Sequence, residues 1–135
     1  MIAAMNTCRI ALANVRFPAT REESVTLTEE AIDEAAKGGA EIVCFPECFV
    51  PGYRGINKQV LPPDSVFLER AWSRIAAATK NAGLTVILGT ERVIKDGVVA
   101  STLVINPDGT SAGFQDKVQI DPSEDHGGHR VALPQ

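Results

Sequence analysis

Two charged residues stand where an apolar stretch of the chain gives way to a loop. Glu47 follows the apolar run of residues 40–45, and Lys117 ends a later run, residues 110–117. Ligand sites in open α/β sheets gather at the carboxyl ends of strands. A carboxylate held there beside aromatic residues is suited to act as a general base. An ammonium at such a position is suited to stabilise a developing oxyanion.

Each of these residues also has a plainer interpretation when it is taken alone. A glutamate after a proline is usually a solvated loop residue, and a strand-end lysine usually pairs with a nearby carboxylate such as Asp116 or Glu124. Tyr53 lies on the same loop as Glu47, and either lines a pocket there or packs the loop.

The sequence contains three cysteines, Cys8, Cys44 and Cys48. An odd number without a signal peptide favours a reducing, cytoplasmic setting. Cys48 is adjacent to Glu47, but neighbouring side chains on an extended chain point apart. Cys44 is expected in a buried strand and Cys8 before the first strand. We therefore expect none of the three to be a nucleophile.

Other classes of site receive little support. His126 and His129 flank a Gly-Gly spacer and lie beside Glu124 and Asp125. These residues form either a metal site or a C-terminal tail, and we favour the tail. Neither a metal nor a cofactor is expected. The net charge of −4, without a basic run, argues against nucleic acid or an anionic membrane as a partner.

Two helices and five strands are predicted to position these residues. Thr20 and Glu23 form a capping-box pattern before a helix that ends at Gly38-Gly39, and Asp64 or Ser65 begins a second helix that ends at Gly83. Trp72 lies on the apolar stripe of the second helix and is expected in the core. The predicted strands are residues 10–15, 40–45, 84–90, 98–105 and 110–117.

The order β-α-β-α-β-β-β predicts an α/β fold. The first three strands should lie parallel, because helices connect them, and the last two should add by antiparallel hairpins at Asp96-Gly97 and at residues 106–109. The Pro- and Gly-rich residues 47–63 form a long loop, which in a compact domain is often functional.

Four segments in this order resemble the nitrilase superfamily of carbon–nitrogen hydrolases. They are residues 39–47 followed by Pro51-Gly52-Tyr53, then residues 88–91, 101–109 and 114–117. The resemblance implies a four-layer α-β-β-α sandwich of which about half is present. Residues 1–135 would then form a single partial domain, truncated before the family cysteine.

The resemblance also implies a mechanism in which a cysteine thiolate attacks an amide or nitrile carbon. Glu47 would be the general base, Lys117 would stabilise the tetrahedral intermediate, and Glu124 matches a second, assisting glutamate. The partners would be a small amide or nitrile and further copies of the chain. Because the family cysteine falls beyond Gln135, enzymatic activity stays open, and the alternative is a catalytically inactive homologue that binds a partner or has no function.

Overall fold

The computed structural model describes residues 6–55 and 57–119. Its elements follow the predicted order. They are β1 Ile10–Leu12, α1 Arg21–Lys37, β2 Ile42–Cys44, α2 Ser65–Ala82, β3 Thr85–Ile94, β4 Gly97–Ile105 and β5 Ser111–Asp116. The first two strands are shorter than predicted, and β3 is longer because it pairs with β4 from Val86 to Ile94.

Both helices begin at a side-chain cap. The Thr20 hydroxyl accepts from Glu23 N at 3.0 Å, but the Glu23 carboxylate accepts from Ala19 N and does not complete the predicted capping box at Thr20 N. At α2 the cap is Asp64, whose Oδ1 accepts from Phe67 N at 3.0 Å. This contact decides between the two caps that the sequence left open.

The five strands form one sheet in the order β1-β2-β3-β4-β5. β1, β2 and β3 are parallel, whereas β4 and β5 are each antiparallel to the preceding strand, as predicted. Because β5 reverses β4, it runs in the same direction as β2. The carboxyl ends of β2 and β5 therefore lie at one edge of the sheet.

The core lies between the two helices and one face of this sheet. Its buried residues come from α1, α2 and the alternate positions of three strands, among them Val25, Ile32, Ala71, Ile75, Val43, Val86, Leu88, Leu103 and Ile105. The opposite face is open at β1, where Ile10 and Leu12 are 54% and 79% exposed. Within the described residues, neither helix is long and apolar enough to cross a bilayer.

Candidate active site

Glu47 and Lys117 meet in the structure although 70 positions separate them. Lys117 Nζ donates to Glu47 Oε1 at 2.9 Å. Glu47 follows β2 and Lys117 follows β5, so the parallel directions of these strands bring both residues to one edge. The two side chains that the sequence singles out for chemistry therefore converge. The side chains of Glu47 and Lys117 are 43% and 31% exposed, so this ion pair remains open to solvent and to a ligand.

The ion pair stands in the wall of a cavity of about 370 Å³. Phe45 and Ile87 give this cavity an apolar side, while Thr102 and Gln115 belong to its polar side. The backbone of Lys117 is held there because its N–H donates to Ala100 O at 2.8 Å. The arrangement offers one acceptor for a proton and one cation for a developing negative charge.

Asp116 does not compete for Lys117. It accepts from Arg92 Nε at 3.0 Å, and the Arg92 guanidinium holds the pKa of Asp116 below its usual range. The plainer interpretation, in which Lys117 pairs with its neighbour, is therefore wrong for Asp116. Glu124, the other carboxylate considered, lies outside the described residues.

Three consecutive residues of β3 anchor the loop that carries Glu47, here termed the glutamate loop (residues 45–63). The first is Gly89, whose carbonyl accepts from Val50 N at 3.2 Å. A Cβ on Gly89 would lie 1.8 Å from Pro46 O and 3.0 Å from Cys48 N. The residues on either side of Glu47 therefore pass against the bare Cα of Gly89, which only glycine permits.

Thr90 is the second anchor. Its hydroxyl donates to Val50 O at 2.8 Å and accepts from the Trp72 indole at 3.0 Å. Trp72 packs against the core, as predicted, and its polar nitrogen also links α2 to the glutamate loop through Thr90. Thr90 is fully buried, so each of these hydrogen bonds satisfies a group that water does not reach.

Glu91 is the third anchor. Both of its carboxylate oxygens accept from Arg54, at 2.8 Å from Nε and 2.7 Å from Nη2. The side chains of Glu91 and Arg54 are 0% and 11% exposed, so this is a buried, bidentate ion pair. This ion pair was not predicted from the sequence. The available indication was a glutamate within a central strand, because a buried charge requires a counter-ion.

Cys48 is buried and is not oriented as a nucleophile. Its thiol donates to Thr90 O at 3.3 Å, and burial, followed by the charges of Glu91 and Glu47, raises its pKa. The expectation that Cys48 points away from Glu47 on an extended chain had the wrong geometry, since Cys48 has a φ of 48°. A left-handed residue at this point turns the chain and sends the two side chains in different directions.

The other candidate residues do not join the cavity. Cys8 is exposed, Cys44 is partly buried, and neither is among the described residues that line the cavity. Tyr53 is also absent from that lining, and its ring lies over Gly55, where a Cβ would be 2.6 Å from Tyr53 Cε1. Its substrate-binding role stays a prediction.

No metal site is found within the described residues, where no three His, Cys, Asp or Glu side chains come together as ligands. The His126 and His129 pattern lies outside the described residues.

Solved structures share this fold. An amidase from Nesterenkonia sp. superimposes with a TM-score of 0.77 at 18% identity, over 94% of this chain and 49% of the amidase. A carbon–nitrogen hydrolase from Helicobacter pylori G27 gives a TM-score of 0.78 at 15% identity, over 93% of this chain and 45% of that protein. The fold is therefore the nitrilase type, and the chain corresponds to about half of it.

The chain belongs to the carbon–nitrogen hydrolase family of the nitrilase superfamily, whose family profile matches residues 3–133. An arylacetonitrilase of Arthroderma benhamiae is 33% identical over 97 residues, which cover 64% of this chain and 29% of that protein. A hydrolase of Mycobacterium tuberculosis is 32% identical over 103 residues, which cover 76% of this chain and 35% of that protein. The chain thus spans about a third of the length of these relatives.

Proposed function

We propose that this chain supplies the general base and the oxyanion-stabilising cation of a carbon–nitrogen hydrolase that acts on a small amide or nitrile. The contact of 2.9 Å between Lys117 Nζ and Glu47 Oε1, at the wall of a cavity, carries the proposal. In the proposed reaction Glu47 takes the proton of a cysteine thiol. The thiolate attacks the amide or nitrile carbon, and Lys117 stabilises the negative charge that develops there.

One relative supports an amide as the substrate class. The amidase from Nesterenkonia sp. AN1 has been solved as a double mutant in complex with acrylamide and as a single mutant in complex with butyramide. In a further variant of that amidase, acrylamide has added to the active-site cysteine. Nitriles remain part of the proposal because several curated relatives are arylacetonitrilases. We propose Glu124 as an assisting carboxylate and Tyr53 as a substrate contact.

None of the three cysteines in this sequence is assigned as the nucleophile in this proposal. Cys48 is buried against Thr90, and neither Cys8 nor Cys44 lines the cavity. We propose that the nucleophile is a cysteine in a segment that this sequence does not contain. The second candidate function, a homologue without hydrolase activity that binds a partner, is favoured by the same observation about the three cysteines.

We further propose a cytoplasmic protein that self-associates. Every cysteine in the described residues is free, which suits a reducing compartment. The open face of the sheet exposes Ile10 and Leu12 at its edge strand, where burial against a second copy would remove apolar surface from water.

Amide hydrolysis by the polypeptide as its source organism expresses it tests the proposal. Ammonia release from butyramide and from an arylacetonitrile is measured for the parent and for Glu47→Gln and Lys117→Met. Glu30→Gln and Lys95→Met remove the same charges at exposed positions that do not line the cavity and serve as matched controls.

We expect both site variants to abolish turnover and both controls to retain it. Removing a residue that acts as a unit with a nucleophile costs about 10⁴- to 10⁶-fold in kcat. A parent polypeptide without turnover would support the second candidate function, in which the protein binds a partner and has no hydrolase activity. Turnover in the parent that survives Glu47→Gln and Lys117→Met would refute the assigned roles.

A further inference from the structure

Glu91 is a charged residue that is fully buried in the central strand of the sheet. It lies in β3 and is 0% exposed, on the strand face that it shares with Ile87 and Gly89, opposite to the face whose residues form the core. Burying a carboxylate is costly unless it is paired and hydrogen-bonded. Arg54 provides a counter-charge to Glu91, and it belongs to the glutamate loop.

Arg54 connects two parts of that loop to the sheet. Besides its two bonds to Glu91, its Nη1 donates to Val60 O at 3.4 Å. Seven positions before Arg54 is Glu47, and between them Cys48 and Val50 are already fixed to Thr90 and Gly89. The segment that begins at Glu47 is thus bound to β3 at its start and again at Arg54.

The same charged groups lie close to the proposed catalytic pair. Cys48, the neighbour of Glu47, donates its thiol to the carbonyl of Thr90, the neighbour of Glu91, so this hydrogen bond links the two pairs along the chain. Glu91 pairs across the sheet with Ala100, whose carbonyl holds the backbone of Lys117. A displacement of Arg54 or Glu91 would therefore be transmitted to both sides of the Glu47–Lys117 contact.

We propose that the buried Arg54–Glu91 ion pair is a positioning device, which fixes the glutamate loop on β3 so that the Glu47 carboxylate reaches Lys117. Neither residue touches the substrate in this account. The inference rests on the proposed function for its significance in catalysis, but its geometric content concerns only the contact between Glu47 and Lys117.

The test must separate positioning from simple stabilisation. Removing one member of a buried ion pair leaves an uncompensated charge and destabilises the fold, whereas replacing both members with apolar residues is often neutral. The informative variant is therefore the double substitution Arg54→Met with Glu91→Leu. Arg54→Lys is the conservative variant, because lysine keeps the charge and loses the two-pronged geometry.

The readout is the rate at which an acylating reagent modifies Lys117 in the folded chain, measured by peptide mass spectrometry with exposed Lys95 as the internal reference. A lysine amine held in a hydrogen bond to a carboxylate is less accessible to the reagent and reacts slowly. Glu47→Gln supplies the rate expected when the contact is lost. Thermal melting of each variant establishes that it is folded.

We expect the folded double variant to acylate Lys117 severalfold faster than the parent, at the rate found for Glu47→Gln, and Arg54→Lys to fall between them. An unchanged Lys117 rate in the folded double variant would overturn the inference. If the double variant does not fold, an unchanged rate in Arg54→Lys overturns it and an intermediate rate supports it.

The two proposals can fail separately in this experiment. An accelerated rate in a polypeptide without hydrolase activity would leave the positioning inference standing while the proposed function fails. An unchanged rate, together with loss of hydrolysis in Glu47→Gln, would overturn the positioning inference and leave the proposed function standing.

Discussion

Replacing Gly89 with alanine tests how closely the glutamate loop must approach β3. The added Cβ would lie 1.8 Å from Pro46 O, 2.7 Å from Pro46 C and 3.0 Å from Cys48 N. Gly89 does not have a positive φ, so the penalty arises from space and not from backbone conformation. The obstructing atoms are backbone atoms on both sides of Glu47, which cannot rotate away as a side chain would.

The size of the effect follows from these distances. Ordinary contact begins at 3.4 Å, so Pro46 O must move by 3.4 − 1.8 = 1.6 Å. Added to the 2.9 Å contact between Glu47 and Lys117, a shift of this size along the bond gives 4.5 Å, beyond ion-pair distance. Overpacking of this kind costs about 1–3 kcal/mol of folding free energy. A misplacement of about 1 Å at a catalytic group can cost about a hundred-fold in rate.

Urea denaturation of the chain and the acylation rate of Lys117 are the two assays. Gly38→Ala is the matched control, because its Cβ would meet Ala35 O at an ordinary 3.5 Å and its φ is −77°. We expect Gly89→Ala to lose stability and to expose Lys117 to the reagent, while Gly38→Ala changes neither. A Gly89→Ala chain with parental stability and a parental Lys117 rate would refute the close approach.

Four further outcomes are expected. Iodoacetamide should alkylate exposed Cys8 in the folded chain and spare Cys48 until denaturant is added; equal rates would contradict the burial of Cys48. Thr90→Val should cost about 1–3 kcal/mol in urea denaturation, because two buried groups lose their partner. The pKa of Glu23 is lowered from 4.5 to about 2 by its arginine partner, so its stabilising contribution is complete above pH 4.5 and is lost as the pH falls towards 2. The difference in Tm between the parent and Glu23→Gln should shrink over that interval, and a constant difference would contradict the pairing. Light scattering should show an oligomer that Leu12→Ser weakens; a monodisperse parent monomer would contradict self-association.

The sequence predicted the order of elements because its strongest local patterns agree with the fold. The cap at Thr20, the left-handed Gly83 and the hairpin before Gly97 are each set by residues close together in the chain. The strand directions then follow from which connections contain helices. The meeting of Glu47 with Lys117 was predictable for the same reason, since both follow strands that run in one direction.

What the sequence did not predict depends on contacts between distant positions. The left-handed φ of Cys48 and the pairing of Arg54 with Glu91 arise because the glutamate loop crosses β3, and no local pattern encodes that crossing. The Glu23 carboxylate likewise binds Ala19 N, a choice that depends on the path of the chain before the helix. Tertiary contacts of this kind override propensities that act over a few residues.

The central claim is that Glu47 and Lys117 act together on a covalent intermediate, and single-turnover mass spectrometry tests it most directly. The polypeptide as its source expresses it is mixed with butyramide, and its intact mass is followed for the acyl group that a cysteine thioester would add. The account predicts an acylated species in the parent and none in Glu47→Gln or Lys117→Met. Acylation at the parental rate in Glu47→Gln or Lys117→Met would contradict it.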